Sequence, residues 1–135
     1  MIDHESALQK GLISRLRADA AITALLGDPA RVWDEPEAVP AFPYLLIGRS
    51  QSRDVGADGC GVEHTLTLNC VSRFPGVEEV KAIVAAVRAR LSDAVVEVDG
   101  VRTISLRTSF ADVFRSGDGR RAYGVIRVRA VTETV

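Results

Sequence analysis

The chain has 135 residues, of which 47% are hydrophobic, and its 17 basic and 18 acidic residues leave a net charge of -1. This length and composition predict one globular domain over residues 1–135, closed around a single core. The near-neutral net charge does not indicate nucleic acid as a partner. We expect no membrane partner either, because no run approaches the ~20 apolar residues of a bilayer span. Two cysteines and an N-terminus without signal-peptide features indicate folding in a reducing cytoplasm.

Charge is distributed unevenly along the chain. Residues 28–63 carry seven acidic side chains against three arginines, a net of -4, whereas residues 101–135 carry seven arginines against three acidic side chains, a net of +4. One half of such a molecule can attract the opposite half of a neighbouring copy, as in a head-to-tail ring. The alternative interpretation is solvated strand faces with internal pairing.

The first predicted elements are a helix, a short helical turn and a short strand. Asp3 is a candidate N-cap for a helix over residues 4–17, because leucines recur there at every fourth position. Asp19 can cap a second, short helical turn that Gly27 ends. Residues 31–34 then form a short strand before a proline-rich loop. The leucine stripe consists of Leu8, Leu12 and Leu16.

Two long hairpins and one further helix are predicted in the rest of the chain. The first hairpin pairs residues 44–51 with residues 63–72, and a helix over residues 77–91 follows, with its apolar side chains in a 3.6-residue stripe. The second hairpin turns at residues 116–119. In its first strand, one predicted apolar face consists of Ile104, Leu106, Thr108 and Phe110.

This order predicts an α+β fold: an antiparallel sheet of two long hairpins with two helices packed on one face. Each helix has one apolar stripe and each alternating strand one apolar face, so these surfaces are expected to meet. The opposite face of the sheet is polar and faces solvent or a partner. Its predicted residues are Thr65, Thr67, Asn69, Thr103, Ser105, Arg107, Arg127 and Arg129.

The chain contains few side chains that could bind a metal or a cofactor. Cys60, His64 and Cys70 are the clustered soft ligands, but their spacing fits no zinc motif and a fourth ligand is missing. We expect Cys70 to be a small core residue and His64 to form local hydrogen bonds. No metal and no cofactor is therefore predicted.

Catalytic motifs are also missing from the sequence. No Gly-x-Ser-x-Gly is present, and the paired Glu35 and Glu37 fit a solvated proline-rich loop better than an acid–base pair. The glycines at residues 59–61 precede a strand, and those at residues 117–119 turn a hairpin, so neither set has the helix that a phosphate cradle needs. The sequence predicts a protein that is not an enzyme.

Six segments of the chain form a recognisable ordered set: residues 7–19, 24–27, 31–33, Pro43-Tyr44, 63–68 and 79–88. Taken in this order, they resemble the segments of a family of small phage tail-completion proteins. The resemblance covers residues 7–91 and reaches the second hairpin only through its strand pattern. One departure is the segment 69–71, Asn-Cys-Val, where the family often has an aromatic step.

This resemblance implies a virion structural protein of phage tails or of the related gene transfer agents. Such subunits form a hexameric ring that caps the head-proximal end of the tail tube and joins it to the neck. The implied partners are further copies of the chain, the tail tube protein and the neck or stopper protein, with DNA passing through the lumen as a further candidate. The implied location is the tail or neck of the particle.

Two alternatives remain open at this point. The first is a small α+β module that binds nucleic acid through the arginine-rich C-terminal hairpin. The second is a small cytosolic enzyme or ligand-binding domain. The arginines of the first alternative are Arg107, Arg120, Arg121, Arg127 and Arg129.

The two hairpin tips are the predicted assembly contacts. Both are rich in glycine and charge and almost free of apolar residues, so the core is not expected to hold them. Their charges differ, since arginines dominate the second tip. The candidate interface residues are Arg53, Asp54, Asp58, Arg115, Asp118, Arg120 and Arg121.

Overall fold

The computed structural model describes residues 2–56 and 61–135, and it confirms the α+β class. Three helices and six strands are present in these residues, so the fold has one helix more than the two that were predicted to pack on the sheet. None of these helices has the length and apolar character needed to cross a membrane. In chain order the elements are α1 (His4–Arg17), α2 (Ala20–Leu26), β1 (Val32–Trp33), β2 (Tyr44–Val55), β3 (Gly61–Ser72), α3 (Glu78–Leu91), β4 (Glu97–Val98), β5 (Val101–Arg115) and β6 (Ala122–Thr134).

The first two helices begin at the predicted caps. The backbone N–H of Ser6 donates to Asp3 Oδ1 at 2.9 Å, and that of Ile22 donates to Asp19 Oδ1 at 3.0 Å. The Ser6 hydrogen bond also holds the pKa of Asp3 below its usual range. These side chains satisfy backbone donors that have no partner inside the helix.

The six strands form one sheet in the order β1-β2-β3-β6-β5-β4. The four long strands pair with one another in antiparallel fashion, and β3 of the first hairpin lies beside β6 of the second. The sheet is mixed rather than antiparallel throughout, because β1 runs parallel to β2. The loop of residues 34–43 carries the chain back to the end from which β1 started, so both strands run in the same direction.

The helices pack on one face of the sheet, as predicted. Leu68 on β3 is fully buried and Ile83 on α3 is 1% exposed, and both belong to one core that the three helices share with the inward strand residues. Gly124 lets α3 approach β6 closely: a Cβ there would lie 2.7 Å from Val80 Cγ1. We call the opposite side of the sheet the outer face.

The predicted alternation along β5 is wrong in two places. The register of β5 on β6 shifts between Thr103 and Ser105 and again between Thr108 and Phe110. Each bulge moves the following side chains to the other face. Phe110, which was predicted to face the core, is therefore 45% exposed, and Thr103, which was predicted on the polar face, is buried.

Candidate assembly surface

Aromatic side chains extend across one end of the outer face. The Phe114 and Tyr123 rings lie 5.6 Å apart on β5 and β6, and the Trp33 and Tyr44 rings lie 5.5 Å apart on β1 and β2. No described helix covers this face, so the row is open to a partner. From β5 to β2, the residues that lie side by side in this row are Phe114, Tyr123, Val71 and Tyr44.

Arginines follow next to the aromatic row, towards the middle of the outer face. Arg107 on β5 lies directly opposite Arg129 on β6, and Phe110 lies opposite Arg127. The Arg127 guanidinium is 5.0 Å from the centroid of the Phe110 ring. Like charges directly opposite one another destabilise a sheet. Arg129 pairs with Glu63, whereas no described acidic side chain pairs with Arg107, so Arg107 favours an acidic partner.

The first hairpin tip is joined to the outer face by an ion cluster. Arg53 Nε and Arg129 Nη2 each lie 3.1 Å from Glu63 Oε1. Burial acts to raise the pKa of Glu63, but the hydrogen bonds and charges of the two arginines outweigh it and the pKa is lowered. Asp54 is exposed and lies opposite Val62. Asp58 falls outside the described residues.

The second hairpin tip is closed by its own hydrogen bonds. The Ser116 hydroxyl donates to Asp118 Oδ1 at 2.6 Å, and the backbone N–H of Arg120 donates to the same oxygen at 3.0 Å. Both contacts lower the pKa of Asp118, the Ser116 hydroxyl most strongly. Gly119 completes the turn with a φ of 72°. Local polar contacts therefore shape this tip, which the core does not reach.

The paired arginines of this tip have different surroundings. Arg120 is exposed, whereas the half-buried Arg121 places its guanidinium 5.0 Å from the centroid of the Phe42 ring. Arg73 lies 4.9 Å from the same ring. The structure thus joins Arg121 to the proline-rich loop, a contact that sequence spacing alone does not indicate.

The predicted interface residues do not form one patch. The first tip follows Val55, which is level with Arg102 across the sheet, and the second follows Arg115 at the opposite end of β5. Sequence reasoning also missed the exposed Phe110 and Phe114, 45% and 43% exposed, because unbroken alternation places Phe110 in the core.

Of the three soft ligands that were considered for a metal site, the structure describes Cys70 and His64. Cys70 is a buried free cysteine, and its burial, followed by the charge of Glu79, raises the pKa of the thiol to about 12. His64 is buried against Thr132. Cys60 falls outside the described residues, and residues 2–56 and 61–135 contain no group of three or more His, Cys, Asp or Glu side chains able to hold an ion.

Comparison with known proteins decides the family. The profile of the family described as tail completion protein gp17 matches residues 10–133. The chain belongs to this tail completion family. No curated protein sequence matches it. The family assignment agrees with the resemblance that the ordered segments indicated.

Two solved structures support the fold of this tail completion family member. One is a chain from the virion of a native gene transfer agent particle, with a TM-score of 0.87 and 26% identity over 98% of this chain and 99% of that chain. The other has a TM-score of 0.55 and 17% identity over 97% of this chain and 92% of that chain, and it shows similarity of fold alone. The first match covers both chains almost completely.

Proposed function

We propose that the chain is a structural subunit of a tail or neck, in which a ring of copies caps the head-proximal end of the tail tube. The full-length match to a chain of a gene transfer agent virion carries this proposal. The family assignment supports it, because completing a tail requires a component that ends tube growth. The ring is hexameric and contacts the tail tube protein on one side and the neck or stopper protein on the other.

The chemistry of the molecule fits a structural role better than an enzymatic one. The described surface presents strand faces and turns with arginines and aromatic rings, which are side chains enriched at protein interfaces. The two hairpin tips, at opposite ends of the sheet, are our candidate contacts with the components above and below the ring. The residues in this assignment are Arg53, Asp54, Asp58, Arg115, Asp118, Arg120 and Arg121.

A second candidate function is nucleic-acid binding through the outer-face arginines. The adjacent positions of Arg107, Arg127 and Arg129 favour it, and in a ring the ligand is DNA passing through the lumen. Retention of DNA by the purified monomer, with affinity falling steeply as salt rises, supports this alternative.

Deletion of the coding gene in particle-producing cells tests whether the chain caps the tail tube. Without the chain, we expect tails of uneven and excessive length together with unjoined heads, and a copy supplied in trans should restore uniform joined tails. Electron microscopy of the lysates measures the tail lengths and the fraction of unjoined heads. Normal tails on normal heads in the deletion strain would contradict the proposal.

A further inference from the structure

Both edges of the sheet are only partly covered. At one edge β1 pairs with Leu45 and Leu46 alone, although β2 continues to Val55. At the other edge β4 pairs with Val101 and Arg102 alone, although β5 continues to Arg115.

The segment before β4 extends this cover to Leu106, because Val96 O accepts from the Thr103 N–H and the Asp93 N–H donates to Leu106 O. No described strand covers β5 beyond Leu106 or β2 beyond Leu46, and these lengths expose backbone N–H and C=O groups that can pair with another chain.

The covered parts lie at opposite ends of the two edges. Leu46, which pairs with β1, is level with Asp112 on the uncovered length of β5 when the register is followed across β3 and β6. In the same way, Arg102, which pairs with β4, is level with Val55 on the uncovered length of β2. On each edge, the short added strand (β1 or β4) forms a projecting step, and the uncovered length beside it forms a recess. The step on one edge is level with the recess on the other.

This shape matches two copies placed side by side in the same orientation. The β1 step of one copy then enters the β5 recess of the next, and the β4 step enters the β2 recess. Because three antiparallel pairings separate β2 from β5, these strands run in opposite directions. Strand β1 is parallel to β2 and therefore meets the β5 recess antiparallel, whereas β4 is antiparallel to β5 and therefore meets the β2 recess in parallel. Such a contact is head to tail, and it closes into a ring when the rotation between copies permits.

The chemistry of step and recess is complementary. The loop that follows β1, residues 34–43, contains Asp34, Glu35 and Glu37 and no basic residue. Its Val39 is 89% exposed. This loop combines negative charge with an exposed apolar side chain.

The recess on β5 has the opposite charge. Residues 107–115 contain Arg107 and Arg115 against the single acid Asp112. Phe110 and Phe114 add exposed aromatic surface to the same stretch.

Arg107 faces outward opposite Arg129, whereas Arg115 pairs with the buried Ala122 and faces the helix side of the sheet. The recess therefore offers one arginine on each face of the edge strand and two aromatic rings on the outer face, which an acidic loop with an exposed apolar side chain can contact.

We infer that copies of this chain join head to tail, with the loop of residues 34–43 of one copy seated against residues 107–115 of β5 in the next. The inference rests on the proposed ring and names the surfaces that form it. It also accounts for the exposure of Phe110, which the neighbouring copy covers.

Charge reversal on each side tests the contact. Glu35→Arg with Glu37→Arg reverses the loop, and Arg107→Glu with Arg115→Glu reverses the recess. Each pair should reduce the number of ring-capped tails roughly tenfold, because like charges then face one another. All four substitutions in one chain should restore capping to near the wild-type level, since every contact in a head-to-tail ring then regains opposite charges.

The matched control is Lys81→Glu with Arg88→Glu, which makes the same change of charge as the recess variant but on the exposed side of α3. Capping should stay at the wild-type level. Equal capping by the loop variant, the recess variant and the control would overturn the inference and leave the proposed ring intact. Absence of rings from wild-type particles would instead overturn the proposed function and the inference with it.

Cross-linking distinguishes head-to-tail contact from symmetric contact. Val39→Cys and Phe114→Cys are made singly and together, and assembled tails are treated with a short bismaleimide. The double variant should give a ladder of covalent oligomers, and a mixture of the two single variants should give dimers only. Cross-linking within either single variant alone, or no cross-linking in the mixture, would contradict the inferred contact.

Discussion

Thr132 joins two histidines that are far apart in the sequence. Its hydroxyl oxygen lies 2.8 Å from His4 Nδ1 and 2.8 Å from His64 Nε2, so this polar chain ties the start of α1 to the middle of the sheet. His64 was predicted to form local hydrogen bonds, but its partner is 68 residues away. The pairing of β3 with β6 brings them together.

His64 should make stability depend on pH. Burial lowers the pKa of His64 from its usual value of 6.5, with nearby His4 acting in the same direction and Glu5 against it. The unfolded chain therefore binds more protons below about pH 6.5, and the free energy of unfolding should fall as the pH drops, by at most ~1.4 kcal/mol per unit for this group.

Urea titrations at pH 7.5 and pH 5.5 measure this dependence. His64→Gln keeps a side-chain N–H for Thr132 but cannot titrate, so its difference in unfolding free energy between the two pH values should be smaller than that of the wild type. Equal differences in both proteins would show that other groups cause the dependence.

Core residues give a second prediction at the residue scale. Leu68→Ala or Ile83→Ala should cost ~2–5 kcal/mol of unfolding free energy, because each removes a buried aliphatic side chain and leaves a cavity. Thr67→Ala, on the outer face beside Leu68, is the control and should stay within about 0.5 kcal/mol of wild type. Denaturant titration measures both, and a loss below half a kcal/mol at Leu68 would mean that the core face is wrongly assigned.

At the scale of elements, the sequence predicted the helices and strands whose apolar residues recur at a regular spacing. Helices α1 and α3 and strand β3 follow unbroken 3.6- and 2-residue patterns, and their buried faces are as expected. The bulges in β5 depend on how it fits β6, so its own alternation could not indicate that Ile104 and Phe110 face outward. The parallel pairing of β1 depends on the path of a proline-rich loop, which composition does not specify.

The candidate site was predictable to a similar degree. Glycine and charge indicated that the tips at Arg53 and at Arg120 are exposed, because such residues cannot form a core. The contact of Arg121 with Phe42 follows from strand order, and the stepped edges follow from the cross-sheet register. Neither property is contained in a local pattern.

The packing of α3 on β6 gives an element-scale prediction. Gly124→Ala should destabilise the fold by ~1–3 kcal/mol, because the added methyl meets the stiff, buried Val80 side chain. Gly117→Ala is the control, since a Cβ there meets nothing within 4 Å. Thermal unfolding of the two variants measures the difference. Equal midpoints would show that α3 lies farther from β6 than the structure indicates.

At the scale of the whole molecule, the second tip is proposed to act in assembly rather than in folding. Arg120→Glu should leave the thermal midpoint nearly unchanged while impairing tail joining, because Arg120 is exposed and its side chain contacts no core residue. Adding Arg121→Glu should also cost ~0.5–1 kcal/mol through loss of the contact with Phe42. Joined particles are counted by electron microscopy, and full joining by the double variant would exclude this tip as an assembly contact.

The position of the chain in the particle tests the ring most directly. Particles are assembled with a chain that carries a small affinity tag at its C-terminus, and the tag is labelled with gold and imaged by electron microscopy. We expect one cluster of label on each tail, at the junction with the head, and ring-shaped density at the same height in averaged images. Label spread along the tube, or confined to the capsid or the distal tip, would contradict the account.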